Sequence, residues 1–366
     1  MKMAIPTLNA IEECADFSQT VGPFIPQLLE VPQKLMAVES KAALVDLYLN
    51  TNPLVTGLSL SLLISVLVLA FSEVNKNYSQ VDRIWSMVPA VYVGNFALWA
   101  RLAGIAAPRV DLAWAFSIIW SARLTYNYWR KGGYEVGSED YRWPIVRKQI
   151  HPVLAFVFNV VFISLIQNIL LYSLTVPVYS MLLSSQFESE VTTGDLLFYG
   201  VELILVFTEG VSDQQQWDFH SAKHEYQKTA KVPKGSNQVE LDRGFLTSGL
   251  WSYSRHPNFA CEQTVWFCLY QWSCYSSNIL YSWAGLGSFS LFCLFQGSTW
   301  LTEKISAEKY PEYKEYQKQV SMFVPISFSG YTPPELQPKA ARTSELEEKT
   351  GSNEQPSSGG VRRRGA

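Results

Sequence analysis

Hydrophobic and polar positions fall in blocks along this 366-residue chain: long runs without Asp, Glu, Lys or Arg alternate with short charged stretches. The first run, Pro53–Phe71, is uncharged, and at ~1.5 Å per helical residue it is long enough to cross about 30 Å of hydrocarbon. A second covers Ile84–Ala100 and tolerates Pro89. A third, Asp111–Trp129, encloses Arg123. Burying a guanidinium without a partner costs at least ~2.5–3.5 kcal/mol at mid-membrane, which places Arg123 near a helix end or against a polar cavity. Residues 151–187 form an uncharged stretch too long for one crossing, so Pro177 is expected to kink it or close it into a loop. Leu196–Phe207 carries Glu202 in its middle, which asks for a buried partner or a cavity. Gln263–Thr302 has the length of a two-helix hairpin turning near Ser276–Asn278. The pattern predicts an all-α, polytopic membrane protein with about seven transmembrane helices.

Outside these blocks the chain divides further. Residues 1–52 contain Pro6, Pro23, Pro26 and Pro32, which break helices, while Lys34–Leu49 has the makings of an amphipathic helix lying on a membrane. This part is expected to be an N-terminal appendage to a transmembrane domain over 53–330. From about Thr332 the sequence is rich in Pro, Ser, Glu, Gly and Lys, so 331–366 is predicted to be a disordered tail. The start lacks a basic region followed by an apolar core, so no cleaved signal peptide is expected. Residues 130–152 and 210–256 are basic, whereas 184–194 has no Lys or Arg and two Glu. The positive-inside rule then puts the two basic loops in the cytosol and 184–194 in the lumen, with the N-terminus also luminal.

Composition narrows the chemistry. A net charge of −3 gives no basic face for nucleic acid. The cysteines are Cys14, Cys261, Cys268, Cys274 and Cys293, an odd number with no Cys-x-x-Cys pair, so neither a disulfide framework nor a zinc site is expected. His220 and His224 stand at helical i, i+4 spacing but lack the Glu of a metalloprotease motif and a third ligand, which favours two surface histidines and no metal. The densest polar cluster is Arg255, His256, Asn258 and Glu262, directly before the last apolar run. It suits an anionic ligand: Arg for bidentate contact with phosphate, His and Asn as donors, Glu for ribose hydroxyls or an amide N–H. Anchoring to lipid headgroups accounts for Arg255 and His256 but not for Asn258 and Glu262 one helical turn apart.

The string Gly-Phe-Leu-Thr-Ser-Gly-Leu-Trp (244–251), followed by Tyr-Ser-Arg-His-Pro-Asn (253–258) and an acid four residues on, resembles the signature of the membrane-embedded steroid 5-alpha-reductase superfamily, most closely its DUF1295 branch. The resemblance takes in Val81-Asp82-Arg83-Ile84-Trp85-Ser86, Arg123-Leu124-Thr125-Tyr126-Asn127, Glu139-Asp140-Tyr141-Arg142-Trp143-Pro144, Asp213-Gln214-Gln215-Gln216-Trp217 and 309–316, roughly residues 55–326 in all. Two positions depart from the pattern, Phe259 for a tyrosine and Cys261 for a glycine. The resemblance implies NAD(P)H-dependent reduction of a carbon–carbon double bond in a steroid, sterol or other lipid taken from the bilayer. It implies NADPH, with NADH the alternative cofactor, and, if the source is eukaryotic, residence in the endoplasmic reticulum. The sequence itself shows no sign of an obligate protein partner. Cofactor-side residues would be Arg255, His256, Asn258 and Glu262 together with Asp213, which follows Ser212 as in the reductases. Arg123, Asn127, Tyr141 and Arg142 join them, since an Arg beside stacking aromatics suits an adenine phosphate. The proton donor would be Tyr126 or Tyr253, and the residues do not choose between them.

Two other readings stay open. Isoprenylcysteine carboxyl methyltransferases, which use S-adenosylmethionine, share an Arg-His-Pro motif and a similar closing segment, but show paired acids where this chain has Glu303-Lys304. A lipid-binding relative without catalysis is the third, argued from Phe259 and Cys261.

Overall fold

The computed structural model describes residues 4–326 and 330–332, and its regular elements there are all helical. The seven long ones are α1 (Pro53–Asn75), α2 (Val88–Leu102), α3 (Pro108–Arg130), α4 (Pro152–Ser184), α5 (Thr193–Thr229), α6 (Pro257–Ser276) and α7 (Leu286–Lys309); a short α8 (Tyr313–Gln319) follows. Local chemistry sets their limits. The Asn52 side chain accepts from the Leu54 N–H with Pro53 next to it, and α1 ends at Lys76 in the left-handed region. A reciprocal capping box of Thr192 and Asp195 starts α5, and Pro257 opens α6. By length and composition, α1 and α4 are long and apolar enough to cross a membrane.

Large apolar side chains face outward, among them Leu63, Val66 and Val74 of α1, Leu197, Ile204 and Phe207 of α5, and Phe289 of α7. Polar ones are inside: Ser61 Oγ donates to the Asn168 carbonyl at 3.0 Å, and Asn159 Nδ2 donates to Ser72 Oγ at 2.8 Å, tying α1 to α4. The main core runs between α2, α3, α4, α5 and α6 around Trp99, Trp120, Trp266 and Trp272, all fully buried. The α5–α6 pair is the most extensive helix contact.

Several expectations are refined. The fifth apolar run proves to be the first third of the 37-residue α5, which is about 55 Å long and projects a polar half beyond the bundle. The 151–187 stretch does break at Pro177, where α-helix resumes after Leu174–Val176, and it also contains a π-helical segment, Asn159–Ile166, that no local residue announces. The hairpin of the last run turns over 277–285, where Gly287 lets α7 approach the Ser173 backbone; a Cβ there would lie 2.4 Å from it.

The amphipathic helix expected at Lys34–Leu49 is absent in that register. The chain instead forms Ile25–Met36, breaks, and restarts at Lys41–Asn50 under a Ser40 cap. Pro26 sits in the first turn, where its missing N–H has no partner to lose, and Pro32 is carried inside the helix. The N-terminal stretch is also more than an attachment: Ala4, Ile5 and Cys14 belong to the main core, and Tyr179 Oη donates to the Thr20 carbonyl at 3.0 Å. The tail expected over 331–366 lies, from residue 333 on, outside the described residues.

Candidate functional site

The Arg123 cluster forms where the apolar part of the bundle gives way to the polar half of α5. Trp120, Arg123, Asn127 and Arg130 recur every three or four residues and so share one face of α3. Opposite stand Glu209, Ser212 and Asp213 of α5, and Asn258, Glu262 and Trp266 of α6. Arg123 Nη1 lies 2.9 Å from both Glu209 Oε1 and Asp213 Oδ2, and its Nη2 lies 3.4 Å from Glu262 Oε2. Two indole N–H groups hold Glu262, from Trp120 at 2.9 Å and from Trp266 at 2.9 Å. Asn258 Nδ2 donates to Asp213 Oδ1 at 3.3 Å. Asn127 orients Arg130, whose Nη2 donates to the Asp213 carbonyl at 3.0 Å while its guanidinium lies over the rings of Tyr126 and Trp217.

The charge count of this cluster is unequal, with one guanidinium facing three buried carboxyls. Glu209 and Glu262 form a carboxyl pair on the two amino groups of this one guanidinium. Several atoms at the site are sealed from solvent without a partner: Arg123 Nε, Asn258 Oδ1, Ser212 Oγ and one oxygen of Glu209. Buried polar groups are normally satisfied, so these unpartnered atoms single out the cluster as a candidate site.

A second cluster takes the rest of the 255–262 string. Arg255 is bidentate on Glu303, at 2.6 Å and 2.9 Å, and its remaining amino group donates to the Gln317 and Val320 carbonyls. His256 Nε2 is 3.1 Å from the same carboxylate, and Gln317 Nε2 donates to it at 2.9 Å. Burial pushes the Glu303 carboxyl up, but hydrogen bonds from His256, Arg255 and Gln317 outweigh it and hold the group at about 2. The chain at 321–322 runs beside 255–256, with the Arg255 and His256 N–H groups donating to the Ser321 and Met322 carbonyls. Arg255 therefore ties the start of α6 to α7 and α8, and its phosphate-binding face is already occupied.

Sequence adjacency joined four residues that the helix start at Pro257 sends to two sides. Arg255 and His256 face α7 and α8, whereas Asn258 and Glu262 face α3 and α5. Phe259 lies between His256, which it stacks on at 5.4 Å, and Phe295.

The other candidates lie elsewhere. Arg142 is held by Asp140 at 2.8 Å and by Ser298 Oγ at 2.9 Å, with Tyr141 exposed, so this motif stitches a loop to α7. The Val81–Ser86 motif joins the same loop network, since Trp143 Nε1 donates to Asp82 Oδ2 at 3.1 Å. Tyr126 is exposed beside Trp129, and Tyr253 borders a cleft of about 300 Å³ lined also by Ser252, Gln317 and Ile326. Glu303 and Lys304 do not act as a pair, because Lys304 lies over Trp300 on the outside. His220 and His224 are exposed, and among the described residues no three His, Cys, Asp or Glu side chains gather as metal ligands. Sequence reading missed Glu209, Trp120, Trp266 and Arg130 as site members. The helical spacing of Trp120 and Arg130 from Arg123, and of Glu209 from Asp213, was the available signal.

A family model described as "Protein of unknown function (DUF1295)" matches residues 68–320, a span that holds both clusters. An "Uncharacterized protein C594.04c" of Schizosaccharomyces pombe is 36% identical over 323 residues, covering 88% of this chain and 93% of its own. No solved structure matches. With its family model spanning most of the helical bundle and a relative aligned over nearly the whole length, the chain belongs to the DUF1295 family.

Proposed function

We propose that this chain is a multi-pass membrane reductase that uses NADPH, or alternatively NADH, to reduce a carbon–carbon double bond in a steroid, sterol or other lipid. In this reading α1 to α7 all cross the bilayer of the endoplasmic reticulum, and the steroid 5-alpha-reductase superfamily is the wider kinship. The observation that carries it is the Arg123 cluster, with buried atoms left unpaired where an apolar-clad bundle meets a polar extension. Hydrophobic substrate would arrive from lipid and a charged cofactor from water, and this is where the two media meet. The residues fit a dinucleotide. Asn258 Oδ1 and the carboxyls of Asp213 and Glu209 suit carboxamide N–H and ribose hydroxyls, and Lys131, beside Asp213 on the exposed side, suits phosphate. Bound there, the reduced nicotinamide supplies a hydride. The chain's own part is to orient that ring, exclude water through Trp120 and Trp266, and hold a proton for the second carbon, with Tyr126 and Tyr253 the candidate donors.

Unequal charge gives the methyltransferase reading one argument, because an acid-rich pocket also suits a sulfonium cation. Melting of detergent-solubilised protein separates the two. NADPH is expected to raise the melting temperature, by the equivalent of about 2.7 kcal/mol at 100 times its dissociation constant, and S-adenosylmethionine is not. A rise with S-adenosylmethionine alone, or with neither, would sink the reductase reading.

Orientation is tested separately. The basic loops 130–152 and 210–256 lie at one end of the bundle, where Arg130 Nη1 meets Gln214 Oε1 at 2.6 Å, and 184–194 lies at the other. A glycosylation acceptor introduced near Thr192 is expected to be modified and one near Ser236 to remain bare. The reverse pattern would move the Arg123 cluster to the lumen.

A further inference from the structure

Asp195, Glu202 and Glu209 recur every seven residues on one face of α5, so each step along the column is about 10 Å. All three are buried. The outer two each have an arginine from α3: Arg109 Nε lies 2.9 Å from Asp195 Oδ2, and Arg123 Nη1 lies 2.9 Å from Glu209 Oε1. They also receive, directly or through Glu262, an indole N–H from α6, with Trp272 donating to Asp195 at 2.8 Å and Trp266 to Glu262 at 2.9 Å. Arg109 and Arg123 stand fourteen residues apart in the same register, and the residue midway between them is Phe116, fully buried. Glu202, at the centre of the column, has neither arginine nor indole: it is 0% exposed and both its oxygens lack any hydrogen-bond partner. Cys268 of α6 lies within electrostatic reach of it.

An ionised carboxylate cannot stay in such a setting without a counter-charge, since the desolvation cost far exceeds that of neutralising it by protonation. The side chain is also sealed, so nothing larger than a proton fits without opening the helices. We propose that Glu202 is a proton-binding site, a neutral carboxylic acid stored at the centre of the bundle in line with the Glu209–Glu262 carboxyl pair. The other charged groups of the column are Asp195 and Glu209 on its own helix and Arg109 and Arg123 on α3, with the Cys268 thiol of α6 in electrostatic reach. Both arginines are already committed to other carboxyls, which is why Glu202 takes a proton and not an ion pair. Linking this proton to turnover rests on the reductase reading. Reduction of a double bond consumes one hydride and one proton; when the helices part, the Glu202 O–H proton would pass through entering water to the Glu209 carboxylate two helical turns away, and a proton from solvent would then restore Glu202.

The site itself is tested by infrared difference spectroscopy of detergent-solubilised protein at neutral pH, wild type against Glu202→Gln. The expected result is loss of the carbonyl stretch of a protonated, weakly hydrogen-bonded acid. Loss of carboxylate stretches in its place would overturn the proposal. Glu202→Met is the second variant; it removes an unsatisfied polar group and is expected to fold at least as well and to lose the same band. For the link to turnover, Glu202→Gln should leave the NADPH-induced rise in melting temperature unchanged and lower kcat roughly tenfold or more, with KM little altered. Unchanged kcat would overturn the link. If NADPH fails to stabilise even the wild type, the reductase reading falls, while the infrared result still decides the proton site.

Discussion

Arg123→Ala is expected to be among the most damaging single changes in this protein, lowering stability by ~3–5 kcal/mol, because breaking a buried ion pair leaves uncompensated charge behind. Its side chain is 14% exposed and serves Glu209, Asp213 and Glu262 together, whose side chains are 5%, 4% and 8% exposed. Arg130 does not replace it, because it reaches the Asp213 carbonyl and not its carboxylate. Arg123→Lys should recover only part of the loss, since a single ammonium cannot span carboxyls on two helices as a planar fork does. The compensating variant Arg123→Met with Glu209→Gln and Asp213→Asn removes charge of both signs and should regain much of the stability while losing the NADPH-induced rise in melting temperature. Thermal melts in detergent check all three. A wild-type melting temperature for Arg123→Ala would show that the cluster is hydrated and open, and would remove the basis of the proposed site.

The second large effect is expected at Arg255, and it concerns the fold before the ligand. Arg255→Ala leaves Glu303 buried without its bidentate partner and frees the Gln317 and Val320 carbonyls, so a loss of ~3–5 kcal/mol is expected. The double variant Arg255→Met, Glu303→Leu should be far milder than either single change, because it removes both charges together. If that double variant still binds NADPH as the wild type does, Arg255 is a structural tie; loss of binding with the fold intact would make it a phosphate ligand as well. The same pair governs acid sensitivity. Glu303 is held at about 2, below its ordinary 4.5, so its contribution is fully present above pH 4.5 and is lost as the pH falls from there towards 2. Glu303→Gln should therefore melt with less pH dependence than wild type across that window. Equal slopes would refute the assignment.

The two clusters explain why the sequence points to a site and misplaces part of it. Residues 255–262 read as one polar patch because they are contiguous, and contiguity is what a sequence displays. A helix that starts at Pro257 turns successive side chains by about 100°, so neighbours in the string part company while Asn258 and Glu262, one turn apart, stay together. Arg123 illustrates the opposite case. A cation inside an apolar run has to find a partner, so its burial near a helix end was legible in advance. Which acids would meet it was not, because Glu209 and Glu262 lie 86 and 139 positions along the chain and are brought there by packing alone.

Uncharged runs long enough for helices, the prolines and caps that bound them, and the ordered motifs that mark the family are properties of local chain chemistry, and the sequence by itself determined them. Tertiary structure decided the rest: that Arg255 is spent on Glu303 while Arg123 gathers three acids, that the N-terminal stretch enters the core, and that Glu202 alone in its column has no partner. The reason is that helix formation depends on hydrogen bonds four residues apart, whereas partnership between buried charges depends on which faces of distant helices meet, a quantity with no local term.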